Sequence, residues 1–251
     1  MKRSIKNIIG FTMGATNGEI GKVKELYFDD ETWTIRYLIV DTGTFLSGRL
    51  VLISPEAVLT PDWENRIFPV NLTKEQIASS PDINTDIPVS RQEEIRLYQH
   101  YPWAAYWGSE HDGVDTIENR GINVFLSQSE AATERQKEEE EVNDKHLRST
   151  AKVMGYSIHA TDGKIGDVED FILDDSTWKI EFMVIDTGHW FPGKKVVIAP
   201  QRIMTVDWKT STVYINATVA HVKNSPAYDA EQEMTDVYTL AHHDHYNGEV
   251  V

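Results

Sequence analysis

The 251-residue chain contains no cysteine, which removes disulfides, thiolate metal sites and thiol nucleophiles together. Basic side chains are scarce: 24 Lys and Arg stand against 40 Asp and Glu, for a formal net charge of −16 at pH 7. A protein that tracks a nucleic-acid backbone needs clustered Lys and Arg to displace counterions. No basic patch interrupts this acidic chain, so no direct nucleic-acid binding is expected. Long apolar runs are missing too. Tyr37-Leu38-Ile39-Val40 and Val196-Val197-Ile198-Ala199 fall far short of the ~20 residues that span a bilayer. The N-terminus, Met1 to Gly10, has the charge of a signal n-region, but Thr12, Gly14 and Asn17 break the apolar stretch that should follow. The reading is a soluble, cytoplasmic protein with no membrane span. Phosphate loops, Gly-x-Ser-x-Gly elbows and His-Glu-x-x-His motifs are also absent.

What is present is a folded composition, 40% hydrophobic, 10% aromatic and 25% charged, and an internal repeat. One gap-free offset of 145 places Gly10 on Gly155, Thr16 on Thr161, Gly18 on Gly163 and Gly21 on Gly166. It continues with Asp29-Asp30 on Asp174-Asp175, Trp33 on Trp178, and Asp41-Thr42-Gly43 on Asp186-Thr187-Gly188. Further on, Gly48 meets Gly193, Pro55 meets Pro200, Trp63 meets Trp208, and His100-Tyr101 meets His245-Tyr246. A period this long marks tandem domains rather than a solenoid. The expected organisation is a first domain with a helical, aromatic tail over 1–126, an acidic linker over 127–150, and a second domain with a C-terminal helix over 151–251. The linker holds Glu138 to Glu141 but exceeds neutrality by only three acidic residues, so the folded surfaces carry most of the charge.

Each repeat reads as a β meander. Asn17-Gly18 and Asp162-Gly163 suit two-residue hairpin turns, and Asp29-Asp30-Glu31-Thr32 marks a second turn before a β-branched strand over 34–40. Five or six short strands predict a small closed barrel or sandwich. Thr73-Lys74-Glu75-Gln76 and Ser90-Arg91-Gln92-Glu93 have the form of capping boxes, predicting helices after the strands. The matching C-terminal helix is expected from about Glu233 to Tyr246.

The ordered set of Gly-x-Ile-Gly, Asp-Asp-x-Thr-Trp, Val-Asp-Thr-Gly or Ile-Asp-Thr-Gly, and Trp190-Phe191-Pro192-Gly193-Lys194-Lys195-Val196-Val197-Ile198-Ala199-Pro200 resembles the PRC-barrel family. That family is named for the cytoplasmic domain of the photosynthetic reaction centre H subunit and recurs in a ribosome maturation factor. The tail from Ser90 to Trp107 is similar to that of free-standing bacterial members. The resemblance implies a mainly β fold: two small PRC-type β-barrels in tandem, each followed by helical tail segments. It also implies, by analogy, an accessory role in reaction-centre or electron-transfer assembly, or in ribosome maturation.

Three residue sets invite a chemical reading. Two copies of Asp-Thr-Gly, each after an apolar strand, match the paired carboxylates of an aspartic-protease-like hydrolase. The brace and flap of such an enzyme are missing, however. The alternative is a structural turn motif in which Asp41 and Asp186 hold turn amides, Thr42 and Thr187 follow, and Gly43 and Gly188 supply the bend. His242 and His245, at i and i+3, are weak metal candidates against a polar, frayed helix end. Tyr98, Tyr101, Trp103, Tyr106 and Trp107 form either a lid on the barrel or a candidate interface. The expected function is non-enzymatic, without cofactor or metal: a protein-binding or scaffolding module whose partner is another protein or a second copy.

Overall fold

A computed structural model describes residues 1–83, 89–101, 103–106, 146–188, 194–229 and 234–247. In the first repeat the strands are β1 (Lys2–Ser4), β2 (Thr12–Ala15), β3 (Gly18–Asp29), β4 (Thr34–Asp41), β5 (Leu50–Ile53) and β6 (Ile67–Pro69). In the second they are β7 (Leu147–Ser149), β8 (Ser157–Ala160), β9 (Gly163–Asp174), β10 (Lys179–Asp186), β11 (Lys195–Ile198), β12 (Ile203–Asp207) and β13 (Thr212–Ile215). Helices α1 (Ile5–Ile8), α2 (Lys74–Ala78) and α3 (Arg91–His100) are matched by α4 (Thr150–Val153), α5 (Val219–Asn224) and α6 (Asp236–Asn247). Strand β7 and the first residue of α4 fall within the stretch 127–150 expected to be linker.

The two capping boxes form as the sequence predicts, with Thr73 paired to Gln76 and Ser90 to Glu93. The hairpins differ by one residue. Ala15 pairs with Gly18, so the turn is Thr16-Asn17, and Gly18 takes φ 143° beyond it. Asn17 is thereby free to cap α2: its Oδ1 accepts from the Lys74 amide at 2.9 Å, as Asp162 accepts from the Val219 amide at 2.7 Å.

Alternation of buried positions makes the fold mainly β, as expected, but its strands do not close into two separate barrels. Hydrogen bonds link the thirteen described strands into one mixed sheet, in the order β12-β13-β8-β9-β10-β4-β3-β2-β6, with β1, β5, β7 and β11 attached to β9, β4, β3 and β10. The reason is an exchange. The N-terminal strand of each repeat pairs with the long strand of the other: β1 lies antiparallel to β9, with Arg3 opposite Leu173, and β7 pairs with β3.

Consequently the two compact units are not the two repeats. The first comprises Met1–Phe11, Val23–Leu38 and Arg148–Val251; the second comprises Thr12–Lys22 and Ile39–Leu147. In the first unit, Ile5, Ile8, Leu26, Phe28, Ile35, Phe171, Leu173 and Ile180 are all at most 2% exposed, each side chain contributing roughly 1.5–3 kcal/mol of burial. In the second unit, Met13, Ile20, Ile53, Phe68, Val70 and Ile77 are among the buried residues.

Candidate functional site

The exchange is reciprocal at the level of single atoms. Arg3 Nε reaches Asp175 at 3.1 Å while Arg148 Nε reaches Asp30 at 2.7 Å. The Ser4 hydroxyl donates to Asp170 at 2.5 Å, and the Ser149 hydroxyl donates to Glu25. Burial pushes the Asp170 carboxyl above its ordinary range despite that hydrogen bond. Between these pairs the Trp33 carbonyl accepts from the Ile180 amide at 2.7 Å, and the Trp178 carbonyl accepts from the Ile35 amide at 2.8 Å. Both tryptophans hold φ 57°, a left-handed conformation that is uncommon and costly for a bulky residue. The Asp-Asp-x-Thr-Trp turn tolerates it because Asp29 Oδ1 accepts from the amides of Glu31 and Thr32, as Asp174 Oδ1 does from Ser176 and Thr177. The repeated motif therefore aims two carbonyls across the pair of repeats.

Each Asp-Thr-Gly also forms a turn. The Gly43 amide donates to Asp41 Oδ1 at 2.8 Å and the Thr42 hydroxyl donates to the Arg49 carbonyl at 2.7 Å. The second copy repeats both: Gly188 to Asp186 at 2.8 Å, Thr187 to the Lys194 carbonyl at 2.7 Å. Gly43 and Gly188 sit at φ 50° and 55°. The strand end is pressed against the first hairpin, since a Cβ on Gly21 would stand 2.0 Å from the Asp41 carbonyl oxygen, and one on Gly166 2.1 Å from that of Asp186. Asp41 and Asp186 are themselves exposed. In the second unit an open groove beside Asp41 is lined by Glu19, Lys22, Thr44, Phe45 and Lys74, with the Lys74 ammonium 4.2 Å from the centre of the Phe45 ring.

The aromatic tail folds back. Tyr101 is 2% exposed and stacks on Trp103 at 4.1 Å; Tyr98 meets Trp103 edge-on at 5.8 Å and Tyr106 at 6.3 Å. Trp107 lies outside the described residues. Beneath these rings is a polar cluster that the sequence reading missed. Glu94 is fully buried; its carboxylate takes the Arg91 guanidinium at 2.8 Å and the Tyr106 hydroxyl at 2.7 Å. Arg91 also donates to His146 Nε2 at 2.7 Å, so this ring nitrogen is an acceptor and the imidazole is neutral. Burial first, and then the Glu94 charge, push the Tyr106 hydroxyl far above its ordinary pKa. The cluster fastens residues 106 and 146, the two ends of the intervening acidic stretch. One signal was available: Glu94 stands three and seven residues before Leu97 and Tyr101, on their buried face.

The C-terminal helix is docked, not frayed. His242 and Tyr246 are 1% and 3% exposed. His242 Nε2 donates to the Val197 carbonyl at 2.9 Å, while His245 Nε2 donates to the His221 carbonyl at 2.9 Å. The two imidazoles therefore serve different carbonyls, and no group of three metal-ligating side chains occurs among the described residues. His100 makes the equivalent bond to the Gln76 carbonyl at 2.8 Å, so the repeated His-Tyr pair is a device for seating the tail helix.

Residues 2–77 match the PRC-barrel domain. The match runs from β1 to the body of α2, and it takes in the exchanged strand, the Asp-Asp-x-Thr-Trp turn and the first Asp-Thr-Gly. The first repeat thus carries a PRC-barrel domain. No curated protein matches the chain.

Proposed function

We propose that the chain is a non-enzymatic tandem PRC-barrel scaffold that binds a protein partner through its acidic exterior. The observation that carries this reading is the engagement of the chemistry-bearing motifs in holding the fold. The Asp-Thr-Gly carboxylates accept turn amides, the histidines of the tails seat helices, and the repeated Trp turns join one repeat to the other. The surfaces that a lone repeat would offer to a second copy are occupied by its sister repeat, which favours a different protein over self-association. A net charge of −16 steers a basic protein surface towards the chain and repels phosphate.

The test is to immobilise the intact chain and present host extract at low and at high salt, with polylysine as competitor. A protein with a basic surface should be retained at low salt, lost at high salt and displaced by polylysine. Retention of no protein at low salt, by a chain that is strictly monomeric, overturns the reading. Pepstatin-sensitive proteolysis at acid pH that disappears in Asp41→Asn would replace it with a hydrolase.

A further inference from the structure

We propose that α6 is an acid-released latch: docked on β10 and β11 near neutral pH, and let go on mild acidification, uncovering the apolar surface on which His242 sits. The argument starts from the slot. The offset of 145 puts His242 where the first repeat has Leu97, and both side chains are 1% exposed. An imidazole thus occupies a position built for an aliphatic side chain, against the edge of Phe182 at 5.0 Å and beside Tyr246 at 4.7 Å. Its Nε2–H is taken by the Val197 carbonyl, while its Nδ1 is buried and meets no hydrogen-bond partner. The neutral ring fits this arrangement, because a bare Nδ1 lone pair costs little. Protonation would place an N–H and a full charge at Nδ1 with no acceptor, in surroundings that solvate charge poorly.

The neighbours make the cation less welcome still. From its own helix His243 and His245 act on it, and Arg202 does so from the turn before β12. The helix α5 contributes Lys223 and His221, the latter stacked on Tyr246 at 4.9 Å and 4.4 Å from the His245 ring. From β1, Lys2 lies 5.9 Å over the Phe182 ring and is paired with Glu181 of β10. The phenols facing this region, Tyr238 and Tyr246, are held neutral by burial. Asp244 is on the helix but exposed. Burial, chiefly, lowers the His242 pKa from 6.5 to about 4. A histidine whose docked pKa lies below its free value leaves the docked state fully stable above pH 6.5 and progressively weaker down to about 4. The same arithmetic makes the opening equilibrium of α6 about 30-fold more favourable at pH 5 than at pH 7.5. What opening exposes is the cluster of Phe182, Val184, Val197 and Ala199, all buried in the docked state.

Peptide-resolved amide hydrogen exchange on the intact chain, at pH 7.5 and pH 5 and corrected for intrinsic rates, tests this. Protection over Asp236–Asn247 should fall by about 30-fold at pH 5 while protection over Arg91–His100 holds. His242→Leu, which copies the first repeat, should abolish the fall. Equal loss in both helices, or an unchanged fall in His242→Leu, overturns the proposal. Should that variant fail to fold, a proton NMR titration of the parent chain decides: a buried histidine titrating near 6.5 without loss of α6 protection overturns it equally.

Discussion

The tail helices α3 and α6 occupy equivalent places in the two repeats and are seated by the same His-Tyr pair, yet they are locked by opposite means. Helix α3 presents Leu97 to its slot and adds a buried ion pair, Arg91 with Glu94, that reaches out to Tyr106 and His146. Helix α6 presents His242 to its slot, and Thr239 stands where Glu94 would be, bonded only to the Thr235 carbonyl at 3.1 Å. The first design is satisfied by charge pairing under cover; the second leaves a ring nitrogen buried without a partner. The same seat occurs in both repeats, and the residue in the seat decides whether the helix is permanently held or conditionally held.

The difference can be broken most severely at Glu94. Glu94→Ala removes a fully buried carboxylate and with it the charge partner of Arg91 and the acceptor of the Tyr106 hydroxyl, so a loss of about 4 kcal/mol is expected in urea titration of the intact chain. Thr239→Ala, its counterpart, should cost no more than about 0.5 kcal/mol. Next comes Leu97→His, which gives the first repeat the residue of the second. It should destabilise by about 3 kcal/mol at pH 7, and more at pH 5, because a buried imidazole in that slot resists protonation while the unfolded chain accepts the proton below 6.5. Equal behaviour at the two pH values would break the comparison.

A control for what the repeats share is Gly21→Ala beside Gly166→Ala. Both meet a strand-end carbonyl within 2.1 Å; Gly21→Ala should lose about 2 kcal/mol, and Gly166→Ala more, because Gly166 also holds φ 156°. The smallest effects concern the reciprocal ion pairs. Arg3→Ala should cost about 0.5 kcal/mol. Arg148→Ala should cost about 1.5 kcal/mol, because Arg148 also lies 4.0 Å over the Trp208 ring. Denaturation midpoints of the two variants, measured side by side, check the ordering.

Much of this was legible locally. Capping boxes at Thr73 and Ser90 fix helix starts through atoms three residues apart, and the Asp-Thr-Gly turn is satisfied within a few residues, so short-range pattern was enough. The Asn-Gly turn was read one residue late, because Asn17 is recruited to cap a helix more than fifty residues downstream, a demand invisible in the tetrapeptide. The Glu94 cluster was hidden for the same reason: His146 reaches Arg91 from 55 residues away. His242 looked like part of a polar helix end because three histidines in four residues mask the buried spacing of His242 and Tyr246.

By itself the sequence determined a mainly β chain with an internal repeat and a net charge of −16, since residue pattern and charge are properties of the chain alone. Only the tertiary structure decided which repeat each N-terminal strand serves. Two near-equivalent repeats present near-equivalent edges, Ser4 facing Asp170 as Ser149 faces Glu25. A three-residue strand carries no local mark of its partner. The choice rests on the reciprocal Arg and Ser contacts and on the two Trp carbonyls that bond across, and these are relations between distant residues that no window of sequence contains.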